Sequence, residues 1–302
     1  MGDDATDSPD VDSLWDFSDP VGSEARFREL LRSIETLEDP SMTAEVLSQI
    51  ARAEGFQRRF LEAKATLLRT VPIWNRISSR ARCRVLLEAG RFEHSCGHPG
   101  SGEDLFLAAL SLADQAGDEA LAIDAAHMLA IVTLGETQIA WGIRAIERAE
   151  HSSEEKAWRW LGTLYGNLGC SYLDVGSLED AMKMFRAAEE WSRTHGRPEQ
   201  HRKARWRVGR CQRFLGDIDS AFATQRELVR EGEIAGDEDG YVFKELGELS
   251  LIRGDFGEAA LMFRRALSIF SRHSWRLTQN ETEELVRLEA YAQVMNKPAQ
   301  DC

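Results

Sequence analysis

The sequence predicts an all-α chain, a solenoid of about six antiparallel helix pairs closed by one extra helix at each end, and three observations carry that prediction. Turn positions recur at Gly55, Gly97, Thr137, Gly176, Gly216 and Gly254, at intervals of 42, 40, 39, 40 and 38 residues. A near-constant period of this length marks stacked units, each burying its apolar face on the next. Small side chains stand seven residues before each turn, at Ser48, Gly90, Ala130, Gly169, Gly209 and Gly247. They recur five residues after it, at Gly102, Gly142, Ala181, Ala221 and Ala259, with Phe60 the exception. Helix backbones approach closely where such residues face each other. The bulk that fills the remaining space follows four residues on as Phe106, Ile146, Phe185 and Phe263, with Lys64 and Gln225 departing from the pattern. Finally, Pro9, Pro20, Pro40, Pro72, Pro99, Pro198 and Pro298 all fall at expected helix ends or connections, because an interior proline removes a hydrogen bond and clashes with the preceding turn.

Taken in order, residues 1–18 form an acidic tail interrupted by Leu14, Trp15 and Phe17. Exposed aromatics are unfavourable, so this tail is expected to dock partly on the first helices as a cap; a free recognition motif is the alternative. Residues 19–40 make an N-terminal capping helix, started by Asp19-Pro20 and carrying Phe27, Leu30, Leu31, Ile34 and Leu37 on one face. The six pairs occupy 41–273, as 42–54 with 57–70, 77–94 with 102–116, 119–134 with 139–150, 154–174 with 178–194, 199–214 with 218–234, and 239–252 with 256–272. Gly117, Gly196 and Gly236 are expected to end helices, and Ser177 with Asp180 and Asp255 with Glu258 to cap second helices at their N-termini. Residues 274–302 supply a C-terminal capping helix over about 279–295, with Leu285, Leu288 and Tyr291 opposite a Glu-rich face, and a short tail.

The stretch Leu168–Ala188 gives these features a family likeness. Leu168-Gly169, Tyr172, Gly176, Ala181, Phe185 and Ala188 resemble the tetratricopeptide repeat signature. Only Tyr172 keeps the aromatic after the small pair, and the period exceeds the commonest 34 residues. The long period is similar to that of the helical arrays of bacterial transcription activators and peptide-sensing regulators. The resemblance implies a right-handed α-solenoid whose first helices line a concave surface, a binding role without a cofactor, and no enzymatic activity. The DNA-binding module of the related regulators has no place here, since 1–40 and 274–302 are too short and too acidic for one.

Composition narrows the function classes. The net charge of −14 over 302 residues argues against nucleic-acid and anionic-membrane partners. No apolar run approaches a membrane span. The N-terminus lacks the basic-then-apolar order of a signal peptide, and its formal match to the M-G-x-x-x-T acylation pattern is read as coincidence, because two aspartates follow Gly2. Five widely spread cysteines, three of them (Cys83, Cys170 and Cys211) inside expected helices, fit free thiols in a reducing, cytoplasmic compartment.

The expected concave wall carries Glu45, Gln49, Arg52, Arg84, Glu88, Arg91, His94, Asp124, His127, Met128, Ile131, Asn167, Cys170, Asp174, Lys203, Trp206, Arg207, Arg210, Arg213, Tyr241, Lys244, Glu245 and Glu248. Within it, Lys203, Arg207, Arg210 and Arg213 form one stripe at steps of four, three and three. Arg forks bind carboxylates bidentately, so the stripe suits an acidic group on a protein or peptide partner. The alternative is that these cations pair with Asp174, Glu245 and Glu248. Trp206 and Tyr241 are possible anchors. A sensor of a small ligand or signalling peptide is the second functional reading. An enzyme built on Asp124, His127, Asn167 and Cys170 is an outside one, since no accompanying motif supplies a nucleophile or metal. His94, Cys96 and His98 offer three ligand types around a turn but no completing Cys/His pair, and a Gly/Pro-rich turn explains them without metal.

Overall fold

The computed structural model describes residues 11–34, 36, 38–196, 198–272 and 279–296. Expectations at Leu37, Pro9, Pro298, Cys302 and the formal acylation motif lie outside them. The described residues are helical, with no strand. A 3-10 turn at Val11–Leu14 precedes α1 (Pro20–Ile34), α2 (Pro40–Phe56) and α3 (Phe60–Leu68), and a second 3-10 turn covers Val71–Arg76. Then follow α4 (Ser79–Ser95), α5 (Pro99–Ala116), α6 (Glu119–Val132), α7 (Gly135–His151) and the single turn α8 (Glu155–Trp158). The remaining helices are α9 (Leu161–Asp174), α10 (Leu178–His195), α11 (Pro198–Phe214), α12 (Ile218–Ala235), α13 (Gly240–Arg253), α14 (Phe256–Ser271) and α15 (Gln279–Met295). The chain is an all-α solenoid of helix pairs, divided into two compact units: 1–160, with α1 to α8, and 161–302, with α9 to α15.

Local chemistry explains where helices start. Asp39, Ser78, Asp118, Asp217, Asp239 and Asp255 each accept a backbone N–H of the first turn that follows, satisfying donors that the helix itself leaves orphaned. Ser177 differs from expectation: its hydroxyl donates to Asp180 Oδ2 at 2.9 Å and accepts no backbone N–H. Two turn positions also shift. Gly55 and Thr137 lie inside α2 and α7, and the left-handed residues are Arg58 (φ 60°) and Gly135 (φ 62°). With Gly97, Gly176, Gly216 and Gly254, all of positive φ, the turns fall at 58, 97, 135, 176, 216 and 254, intervals of 39, 38, 41, 40 and 38. The periodicity is tighter than the sequence suggested.

Packing within each pair rests on one repeated contact. Phe106, Phe185 and Phe263, all fully buried, place their rings over Gly90, Gly169 and Gly247, sixteen residues earlier in each case. A Cβ at any of these glycines would sit 2.5 Å from a ring carbon. Burying each phenylalanine contributes roughly 1.5–3 kcal/mol. The pair α11–α12 keeps the geometry with different chemistry: Gln225 is fully buried against Gly209 and its Nε2 donates to the Trp206 carbonyl at 3.3 Å. At the ends, α1 packs Phe27, Leu31 and Ile34 against Val46, Leu47 and Ile50, and α15 covers α14 through Leu285 and Ala292.

Candidate functional site

The first helices of the pairs carry the residues expected on the binding face, and the two units treat their charges differently. In the first unit α2, α4 and α6 adjoin, and carboxylates interleave with arginines. Arg80 bridges Glu45 and Asp118, and Arg84 pairs with Glu45 at 3.2 Å. Arg91 binds Glu88 and Asp124, both at 2.5 Å, while Arg52 reaches Glu88 only at 3.7 Å. Burial opposes ionisation of Asp124, yet the guanidinium groups of Arg91 and Arg52 together hold the carboxyl below its ordinary value. Burial and the neighbouring Arg91 both push the Arg52 pKa down. This face is close to electrically self-sufficient.

His127 and Asp124 stand in different surroundings. Its ring packs on Trp160 at 5.4 Å, and burial lowers its pKa to about 4 against the opposing pull of Asp124. The imidazole is neutral at pH 7 while its carboxylate neighbour is bound to Arg91. Asn167 and Cys170 belong to the second unit. His98 Nδ1 lies 3.0 Å from Glu93, Cys96 is exposed, and no group of three metal-ligating side chains occurs among the described residues.

Beside this face is an apolar cavity of about 310 Å³, lined by Phe56, Phe60, Leu67, Phe92, Met128 and Ile131, with Arg52, Glu88 and Arg91 at its polar side. Apart from Met128 and Ile131, its apolar walls were not among the expected site residues. The signal was present as the break at Phe60: where later pairs have Gly or Ala, this one inserts a ring. Gly55 correspondingly faces open space, with nothing within 4 Å of the point a Cβ would take.

In the second unit the α11 stripe splits. Arg213 takes the structural role, binding Glu245 at 2.5 Å and Glu248 at 3.7 Å, whereas Asp174 makes no ion pair among the described residues. Off the stripe, Arg202 binds Asp237 at 2.6 Å and Arg205 binds Glu227 and Glu231. Lys203, Arg207 and Arg210 have no carboxylate partner among the described residues. Arg207 lies across Gly166, the space a Cβ there would take, and its Nε is buried without a hydrogen-bond acceptor. Desolvation and the adjacent Arg207 cation hold the Lys203 ammonium below its usual pKa. Arg210 lies over Trp206 and Phe214, 5.7 and 5.6 Å from the ring centroids. Trp206 is used internally: its Nε1 donates to the Tyr241 carbonyl at 3.1 Å, and its ring leans on Tyr241. Tyr241 in turn packs on Phe270, and Lys244 approaches Glu284 at 3.6 Å. Both expected aromatic anchors thus help to join α11, α13 and α14.

A tetratricopeptide repeat family model matches residues 162–195. No curated protein matches the chain by sequence. Among solved structures, a tetratricopeptide repeat protein from Parabacteroides merdae is 12% identical, with a TM-score of 0.58, over 93% of this chain and 97% of that one. NprR in complex with its cognate peptide NprX is 13% identical, with a TM-score of 0.59, over 94% and 82%. A Rap protein complexed with Competence and Sporulation Factor is 14% identical, with a TM-score of 0.55, over 92% and 88%. These are likenesses of fold.

Proposed function

We propose, for a chain of the tetratricopeptide-repeat superfamily, that it is a protein- or peptide-binding scaffold in which the first-helix face of each unit is a binding surface. Lys203, Arg207 and Arg210 receive an acidic group of the partner. The observation that carries this reading is that these three cations make no ion pair among the described residues, while Arg213 on the same helix and Arg80, Arg84 and Arg91 of the first unit are each bound to carboxylates. Arg forks take carboxylates bidentately. The remaining expected positions, Gln49, Arg52, Arg84, Glu88, Arg91, Asp124 and His127 of the first unit and Asn167, Tyr241, Lys244 and Glu245 of the second, act mostly from behind the contact surface: Gln49, Arg84, Glu88, Asp124 and Glu245 are buried, and they hold in place the side chains that meet the partner.

NprR is solved with its cognate peptide NprX, which favours a peptide over a small molecule and keeps a signalling-peptide sensor as the second reading. A sensor would show a ligand-dependent rise in melting temperature together with a change in scattering radius. Catalysis is not part of the proposal, because Asp124 is committed to Arg91 and His127 is held neutral against Trp160. No helix among the described residues is long and apolar enough to cross a membrane. The buried thiols Cys83 and Cys211 suit a cytoplasmic setting, and burial pushes Cys83 up to about 12.

The test is capture of a partner from lysate by the full chain and by the Arg207→Glu/Arg210→Glu variant. Loss of capture with unchanged helicity and melting is the expected result. Undiminished capture would remove the acidic-group contact from the mechanism.

A further inference from the structure

Residues 11–17 run beside α2, in register with the stripe formed by Glu45, Gln49, Arg52 and Phe56. Asp12 accepts from Arg84 Nη2 on both carboxylate oxygens, each at 2.8 Å, and Arg84 is itself joined to Glu45. Three residues on, Trp15 Nε1 donates to Gln49 Oε1 at 2.8 Å, and the Arg52 guanidinium lies 5.6 Å from the Trp15 ring centroid. Two residues further, Phe17 stacks on Trp15 at 4.9 Å and meets Phe56 at 6.0 Å, with Arg52 also over its ring. Side chains of α1 hold the main chain of the segment: Arg26 Nε donates to the Leu14 carbonyl at 2.9 Å, and Ser23 Oγ accepts from the Asp16 N–H at 2.8 Å. Main-chain bonds made by fixed side chains, with charge and aromatic contacts at Asp12, Trp15 and Phe17, are how a short docked segment is recognised, here one that opens with the 3-10 turn Val11–Leu14. Val11 is buried in the core with Phe27, Leu31 and Val46, whereas residues 12–17 stay partly or fully exposed and Phe17 is 60% exposed.

We propose that this segment is a built-in ligand. The face formed by α1, α2 and α4 is a binding site for peptides of the pattern acidic-x-x-Trp-x-Phe, occupied in cis by Asp12, Trp15 and Phe17, and opened when a partner peptide of the same pattern displaces them. A tethered segment competes at a millimolar-scale effective concentration, so a free peptide needs an added contact to win. The cavity supplies it. Arg52 and Phe56, which hold Phe17, also line that cavity, whereas the chain after Phe17 turns away into α1 through Ser18, Asp19 and Pro20. A partner with a leucine-sized side chain soon after the Phe position fills it, for a gain of roughly ten- to hundred-fold in affinity. None of these contacts uses Lys203, Arg207 or Arg210, so the Arg207→Glu/Arg210→Glu chain retains this site whether or not the acidic-group reading holds.

The experiment uses the full chain, native and Trp15→Ser/Phe17→Ser, with a fluorescein-labelled peptide of residues 11–18 read by anisotropy. The variant is expected to bind at least tenfold more tightly than the native chain, and an Asp12→Asn/Trp15→Ala peptide to lose at least tenfold. Equal binding by the two chains, or no binding to a variant that keeps native helicity, overturns the proposal. Should that variant unfold, hydrogen exchange on the native chain decides. An unlabelled peptide of residues 11–17 extended by a leucine, at saturating concentration, must raise exchange in residues 11–18 while α2 and α4 stay protected, and unchanged exchange there overturns it equally.

Discussion

Replacing Gly90 with alanine sets two well-measured effects against each other. In a helix interior, Gly→Ala normally gains about 1 kcal/mol from backbone entropy and propensity. Here the new methyl would lie 2.5, 2.7 and 2.9 Å from Cε1, Cζ and Cδ1 of Phe106, a ring that is fully buried and cannot swing clear. Forcing it aside costs about 1–3 kcal/mol. With the first contact nearly 1 Å inside normal separation, the upper part of that range applies, leaving a net loss of about 1–2 kcal/mol. Gly55, near the end of α2 in the same unit, is the control: nothing lies within 4 Å of its missing methyl, so Gly55→Ala gains about 0.5 kcal/mol. The two variants should differ by roughly 1.5–2.5 kcal/mol, a gap in melting temperature of roughly 3–10 °C by circular dichroism. Phe106→Leu in the Gly90→Ala background should recover part of the loss, a coupling that a double-mutant cycle measures. Equal stabilisation by both alanines would refute the claim that the helix pairs close through this glycine.

The other predictions concern charge. A methyl at Gly166 would displace the Arg207 guanidinium, the movable end of a flexible side chain; Gly166→Ala should leave melting within about 0.5 kcal/mol of native yet weaken capture of an acidic partner, and a large melting change would contradict the placement of Arg207. His127 titrates at 6.5 when unfolded and at about 4 in the fold, so it is neutral in the native state at pH 7. Its contribution is fully present above 6.5 and is lost as pH falls from 6.5 toward 4, because the unfolded chain gains the proton first, an effect of about 2–3 kcal/mol. Asp12 and Asp124, both held below 3.8, keep their stabilising contribution above that value and lose it only as pH falls further, outside this window. Denaturant melts at pH 7, 6, 5 and 4.5 should therefore show a steeper decline for the native chain than for His127→Gln, and identical slopes would exclude the assignment.

The recurring helix pairs and the interlocking of Gly90 with Phe106, Gly169 with Phe185 and Gly247 with Phe263 were legible in the chain alone, because residues on one helix face recur at short, regular spacing; the division of the helix expected over 154–174 into α8 and α9 was not. So was the stripe of cations on α11, which is a property of one helix. Whether those cations were neutralised was not. Arg213 meets Glu245, 32 residues away, while Arg207 lies over Gly166 without a carboxylate, and the difference depends on how neighbouring helices are rotated and how far each side chain reaches. The same holds for turns: Arg58 takes the left-handed position that Gly55 suggested, since glycine permits that conformation without requiring it. The pairing of Asp12 with Arg84 spans 72 residues and has no local signature. Local periodicity specifies which face a residue belongs to; only the packed helices decide what stands opposite it.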